Sequence, residues 1–138
     1  MQKFFENASA QVYYDESLDT LFLEYTNKVV SHEQFVVINT AVLHAFIKLQ
    51  TVKFVADIRK MGIISIESQK WVVDHLLPGM IKHLHPKDLI HVQFMDEVEI
   101  FSKISANKIK DKSSQSISGL QISQFANRAK MEAYLKSL

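Results

Sequence analysis

KFVADIRKMGIISIESQKWV, Lys53 to Val72, is the stretch on which the fold class turns. Phe54-Val55-Ala56 is a short apolar run, extended by Lys53 and Asp57 into a buried strand. Arg59 to Ile64 follows as a loop at its carboxyl end. Ser65 caps the next helix, with Glu67 favourable in the first turn and Trp71, Val72, Leu76 and Leu77 along its length. Pro78-Gly79 is expected to interrupt that helix, because proline lacks a donor and disfavours a helical Leu77, leaving a further turn through Met80 and Ile81. A strand that feeds a helix through a short loop is half of a βαβ unit. It points to a mainly parallel sheet with right-handed crossovers.

The same grammar holds upstream. Val12-Tyr13-Tyr14 and Leu21 to Tyr25 are β-rich runs joined by the polar turn Asp15 to Asp19, which makes a hairpin. Ser31 and Gln34 form a capping box. Phe35, Ile38, Val42, Phe46 and Leu49 then mark one stripe of a helix of about 18 residues. Downstream, Leu89 to Met95 is a strand in which Ile90, Val92 and Phe94 alternate with His91 and Gln93. Asp96 with Glu99 reads as a second capping box, opening a helix through Ile100, Phe101 and Ile104. Lys110 to Ser118 is the most linker-like stretch. Leu120 to Gln124 alternates as a strand, and Asn127 to Ser137 closes as a helix with Met131, Tyr134, Leu135 and Leu138 on one side.

The order β-β-α-β-α-β-α-β-α gives a single α/β domain over 1–138, with a five-stranded mixed sheet, mostly parallel, and an antiparallel edge strand. The alternation in the last two strands departs from the continuous runs of a sheet covered on both faces. Helices are therefore expected mainly on one face, with His91, Gln93, Gln121 and Ser123 on the other, less covered one.

Composition narrows the chemistry. Among 138 residues there is no cysteine, so a thiol nucleophile, an Fe–S cluster and a thiolate zinc site are excluded, and a reducing, cytoplasmic setting is expected. Sixteen basic and fifteen acidic residues are interspersed for a net charge of +1, so no strong field steers the chain to nucleic acid. The basic run Lys103 to Lys112 reads as a solvated helix end. MQKFFENASAQ at the start has no apolar segment of signal-peptide length, and no membrane span is expected. The three glycines form no phosphate-binding loop, and no nucleophile elbow is present. Of the six histidines, His75, His83, His85 and His91 are the densest set, but no pair has the i, i+4 spacing of helical metal ligands. No metal or cofactor is expected.

Three stretches carry a resemblance: the hairpin YYDESLDTLFLEY, the strand and loop KFVADIRKMGIISIESQKWV, and the closing FANRAKMEAYL with Phe125, Asn127, Ala133 and Leu135. With these the chain resembles the STAS-like superfamily, the fold of the SpoIIAA anti-sigma-factor antagonists, and more closely a group of small SpoIIAA-like bacterial proteins. The resemblance implies a superhelix of β-α units with the first strand antiparallel at one edge, and a regulatory protein-interaction module rather than an enzyme. It covers most of the chain as a pattern. The family's phosphorylatable serine, in Asp-x-Ser followed by Gly, has no counterpart in DIRKMGIISIESQKW, so a phosphoswitch does not carry over.

Candidate contact residues lie beyond the carboxyl end of the strand that ends at Asp57, where open α/β sheets bind ligands. They are Asp57, Arg59, Met61, Ile63, Ile64 and Ser65, with Trp71 on the following helix. Two occupants fit: a protein partner on an exposed apolar loop, or a small apolar ligand. The STAS-like fold is similar in architecture to lipid-carrying CRAL-TRIO domains, and Met61, Ile63, Ile64, Trp71 and Met80 are the residues expected to line such a pocket. The competing expectation is that Met61, Ile63 and Ile64 fold back over the core and that Asp57–Arg59 is a local ion pair. A half-apolar sheet face and the edge hairpin lead to the expectation of a homodimer.

Overall fold

A computed structural model describes residues 1–138. Three antiparallel strands come first: β1 (Gln2–Glu6), β2 (Ala10–Asp15) and β3 (Thr20–Tyr25). Strand–helix units follow: α1 (His32–Phe46), β4 (Lys53–Asp57), α2 (Ile66–Trp71), a π-helical turn (Val72–Leu76), α3 (Leu77–Leu84), β5 (Leu89–Phe94), α4 (Ile100–Ser116), β6 (Leu120–Phe125) and α5 (Arg128–Lys136). The sheet runs in chain order, β1-β2-β3-β4-β5-β6, with β3 to β6 parallel. No helix is long and apolar enough to cross a membrane.

The sheet has six strands, not five. β1 escapes a reading by alternation because Phe4 and Phe5 are adjacent, and its register against β2 shifts between Lys3 and Phe5. The helix after β4 also continues where a break is expected. At the π-helical turn the Leu77 amide donates to the Val72 carbonyl, and Leu77 keeps helical angles of φ −64° and ψ −46°. The wider turn shifts the ladder just ahead of Pro78, so the missing donor is absorbed without ending the helix. Next to it, Gly79 meets α1 closely: a Cβ there would lie 3.0 Å from both Leu43 methyls.

α4 extends to Ser116 through the stretch expected to be a linker. Its buried face is Ser102, Ser105, Ala106, Ile109 and Ser113, a helical stripe made mostly of small residues. A hydrophobicity pattern does not register such a stripe. At its start, Glu99 caps the helix alone, accepting from the Phe101 and Ser102 amides at 3.0 and 2.7 Å, while Asp96 accepts from the Val98 amide instead.

Two cores lie on opposite faces of the sheet. The larger holds Leu21, Leu23, Phe54 and Leu89 against Phe35, Ile38, Phe46, Leu77 and Met80 of the helical layer. The smaller holds Tyr13, Phe22, Val55, Val92 and Phe94 against Met131 and Leu135 of α5. This corrects the expected facing of β5. Val92 and Phe94 turn to the sparsely covered side, and His91 and Gln93 turn under the helical layer. Both polar residues are partnered there. His91 stacks on Phe54 with centroids 4.8 Å apart and hydrogen-bonds the Phe54 carbonyl at 3.1 Å, and Gln93 Nε2 donates to the Ala106 carbonyl at 3.0 Å. Gln121 and Ser123 do lie on the α5 side, in register with Ile90 and Val92.

α5 is tied down by a buried cation. Lys53 is 7% exposed, and its Nζ donates to the Leu18 carbonyl at 3.1 Å and to the Leu135 carbonyl in the last turn of α5 at 2.8 Å. Lys53→Met removes both bonds and leaves the Leu135 carbonyl without a donor, while the Leu18 carbonyl keeps Thr20 Oγ1 at 2.8 Å. The expected loss is about 1.5–3 kcal/mol by chemical denaturation, with faster amide exchange confined to α5. Unchanged stability would show that the tie contributes nothing.

Candidate functional site

The carboxyl ends of β3, β4 and β5 open onto three loops. The middle one, Ile58 to Ser65, is built in a few steps. Asp57 is 3% exposed and receives Arg59 bidentately: Nε to Oδ1 at 2.9 Å and Nη2 to Oδ2 at 2.7 Å. That carboxylate raises the Arg59 pKa above its ordinary value. The guanidinium also lies 4.6 Å over the Phe94 ring, so the pair closes the upper end of the smaller core. Gly62 then takes φ +74°, a left-handed turn that favours glycine. Its amide donates to Ser102 Oγ at 2.8 Å, and the Ile64 amide donates to Ser105 Oγ at 3.1 Å. The loop is thus pinned at two points to the serine stripe of α4.

Pinning sorts the candidate residues. Met61 and Ile64 fold inward, 2% and 6% exposed, as cover for the larger core. Ile63 lies between the two pins and points out, 58% exposed. Ser65 caps α2, accepting from the Ser68 amide at 3.0 Å and donating to Ser68 Oγ at 3.0 Å. Ser68 Oγ lies 2.9 Å from His32 Nδ1, and His32 Nε2 is 3.5 Å from Glu67, so both hydroxyls are engaged in joining the starts of α1 and α2. Trp71 is half-buried, its ring centroid 5.5 Å from that of His75, and packs against the larger core. Of the residues expected to line an apolar pocket, Met61, Ile64 and Met80 are buried in the larger core, Ile63 is exposed, and only Met61 borders the interior cavity.

The interior does hold a small cavity of about 30 Å³, bounded by Met61, Phe54, Phe35 and Leu76 and by the polar groups of Tyr25, Asn39, His91 and Gln93. This is room for about two waters. Asn39 Nδ2 donates to Tyr25 Oη at 3.1 Å and to the Phe35 carbonyl at 3.0 Å, and burial pushes the Tyr25 hydroxyl pKa up. Burial lowers His91 to about 4, against which its bond to the Phe54 carbonyl works only in part. His91 is therefore neutral at pH 7, with Nδ1–H donating to that carbonyl and Nε2 left as an acceptor. No three His, Asp or Glu side chains gather into a group able to hold a metal.

Around Ile63 the neighbouring loops add apolar surface that the sequence pattern concealed. Of eleven exposed large hydrophobics, seven sit at this end of the sheet: Val30 before α1, Ile63 and Ile66 around the β4 loop, and Val98, Ile100, Phe101 and Ile104 at the start of α4. Ile100, Phe101 and Ile104 mark a helix in sequence, and α4 buries its serine side, leaving them exposed. Val30 and Ile63 line one cleft with His32 and Ser65. Ile63 and Phe101 line a second of about 290 Å³ over Gly62. Lys28, Lys60, Arg59 and Glu99 border a third of about 480 Å³ that shares Phe101. Glu99 is held below the usual carboxylate range, first by its hydrogen bond with Ser102.

No family model, curated protein or solved structure matches the chain.

Two outcomes test this geometry. In Ser102→Ala with Ser105→Ala, the Gly62 and Ile64 amides lose their acceptors. A stability loss of about 2–4 kcal/mol is expected, with protease nicking directed to Ile58 to Ser65; resistance equal to the parent would refute the pinning. For His91, the unfolded chain binds a proton near pH 6.5 and the folded one only near 4. Folding stability is therefore complete above pH 6.5 and falls by about 3 kcal/mol as pH drops to 4. His91→Phe should flatten that part of a urea-denaturation pH series, and an unaltered slope would remove His91 as its source.

Proposed function

We propose that this chain is a non-enzymatic, regulatory protein-interaction module of the STAS/SpoIIAA-like kind, acting in the cytoplasm without the phosphorylatable serine motif. Its docking surface is the apolar rim at the carboxyl end of the parallel strands. The observation that carries the reading is that exposed Ile63 shares one cleft with Val30 and a second with Phe101, three large apolar side chains from three separate segments. Scattered apolar residues are ordinary on a surface, whereas a contiguous patch marks an interaction site. The fold class supports the same reading: β3 to β6 with α1, α2–α3 and α4 form successive strand–helix units with their helices on one face, the architecture that the resemblance leads one to expect.

The rim specifies a partner chemistry. Lys28 and Lys60 border the cleft beside Phe101, and neither belongs to an ion pair. Arg59 is neutralised by Asp57, and Glu99 is engaged in capping α4. The partner is accordingly a protein segment that offers apolar side chains to Ile63 and Phe101 and carboxylates to the two lysines. A small apolar ligand is the other reading. It would need an enclosed pocket of a few hundred Å³, and the interior cavity is about a tenth of that.

A photo-crosslinking residue at position 63 identifies the partner in source cells, and the purified pair is then measured by calorimetry. Ile63→Asp and Phe101→Ser lie at exposed positions and should change stability by no more than about 0.5 kcal/mol. Each should weaken binding about tenfold or more. Unchanged affinity in both would sink the assignment of the surface. A co-purifying small molecule released on denaturation in native mass spectrometry would support the ligand reading instead.

A further inference from the structure

The six-stranded sheet has two edges, β1 and β6, and they differ in chemistry. β1 is guarded. It carries Lys3 and Glu6, joined by a 3.0 Å ion pair, and its pairing is irregular between Lys3 and Phe5. Charge and irregularity are the usual means of keeping an edge from adding another strand. β6 has neither. Leu120 to Phe125 reads LQISQF, with no charge and no proline, and its register against β5 is regular over all six residues.

Which backbone groups are free follows from the ladder. The Gly119 and Phe125 carbonyls accept from the Leu89 and Met95 amides, so the odd-numbered residues of this segment turn toward β5. By the alternation of a strand, Leu120, Ile122 and Gln124 turn their N–H and C=O groups outward, away from the sheet. Their side chains are half-buried, so the strand is firmly seated while its outer rim stays open. Gln124 is further held by its amide, which donates to Gln93 Oε1 at 2.8 Å and to Asn107 Oδ1 of α4 at 2.9 Å.

We propose that β6 is a pairing edge and that it takes β6 of a second copy of this chain in antiparallel alignment, joining two sheets into one. An uncharged strand meets its own copy without like-charge repulsion. A two-fold axis at Ile122 sets outward residue against outward residue: Ile122 faces Ile122 of the partner, and Leu120 faces Gln124 of the partner. Each such pair exchanges two bonds, so about six hydrogen bonds close the edge. On the helical-layer face the two Ile122 side chains meet, and on the α5 face Gln121 meets Ser123 of the partner. The surface is separate from the apolar rim, so either site can fail without the other.

The experiment is light scattering on the purified chain at about 100 μM, above the range expected for a small strand-pairing interface. The expected mass is twice 15.9 kDa. Ile122→Pro removes an outward donor, a change that edge strands tolerate. Gln121→Lys with Ser123→Lys sets lysines against lysines across the axis while leaving the half-exposed face of the monomer intact. Both variants should run as folded monomers with the parent's circular dichroism; if the proline variant unfolds, the double-lysine variant decides. A monomeric parent at this concentration overturns the proposal, as does a dimer that persists in the folded variants. A monomer that instead binds an unrelated extended peptide overturns the choice of occupant.

Discussion

Two serine hydroxyls on one face of α4 hold the loop that follows β4 in place. Ser102 and Ser105 accept from the amides of Gly62 and Ile64, donors that a buried loop must place somewhere. Small side chains at these positions let the helix come close to the loop, and the hydroxyls then satisfy what the close approach would bury. Met61 and Ile64 are drawn inward and Ile63 is left outside as a result. Because the stripe Ser102, Ser105, Ala106, Ile109 and Ser113 faces in, the larger side chains Ile100, Phe101 and Ile104 face out. One packing choice thus sets both the order of the loop and the apolar character of the surface around it.

The interior beneath this end is more polar than its hydrophobic lining suggests. Tyr25, Asn39, His91 and Gln93 converge on one small cavity, and each has a hydrogen-bonding partner. Such groups add little net stability when satisfied and cost much when a partner is lost. Their effect is to favour one arrangement: the ring of His91 fits over Phe54 in one orientation, and Gln93 ties β5 to both α4 and β6. Asp57 with Arg59 plays the corresponding part for the smaller core, and Lys53 does so at the opposite end of the same strand.

Much of the fold is legible in the sequence, and the exceptions have physical causes. The hairpin of β2 and β3, the capped α1 and the strand β4 all follow from alternation, capping residues and apolar runs. Gln34 shows the limit of detail. Its backbone amide donates to Ser31 Oγ as a capping box requires, but its side-chain Oε1 accepts from the Val30 amide, one residue earlier. In β5, alternation separates Ile90, Val92 and Phe94 from His91 and Gln93 but carries no sign. Which set faces the helical layer depends on partners far away in the chain, the Phe54 and Ala106 carbonyls. The candidate loop was identifiable from its place after β4. Its exposed companions Val30 and Phe101 were not, because they come from other segments of the chain and are brought beside Ile63 by the fold.

The sheet order equals the chain order, and this has a bearing on how the molecule is made. Each new strand finds its neighbour already laid down, so assembly during synthesis can advance one unit at a time and never waits for a distant segment to complete a pairing. α5 is the exception. It is the one helix that crosses to the far face, and Phe22, Val55 and Val92 stay open to solvent until Met131 and Leu135 settle on them. A nascent chain halted before α5 would carry a finished upper layer over a bare apolar floor. That unfinished intermediate is the form most in need of a chaperone.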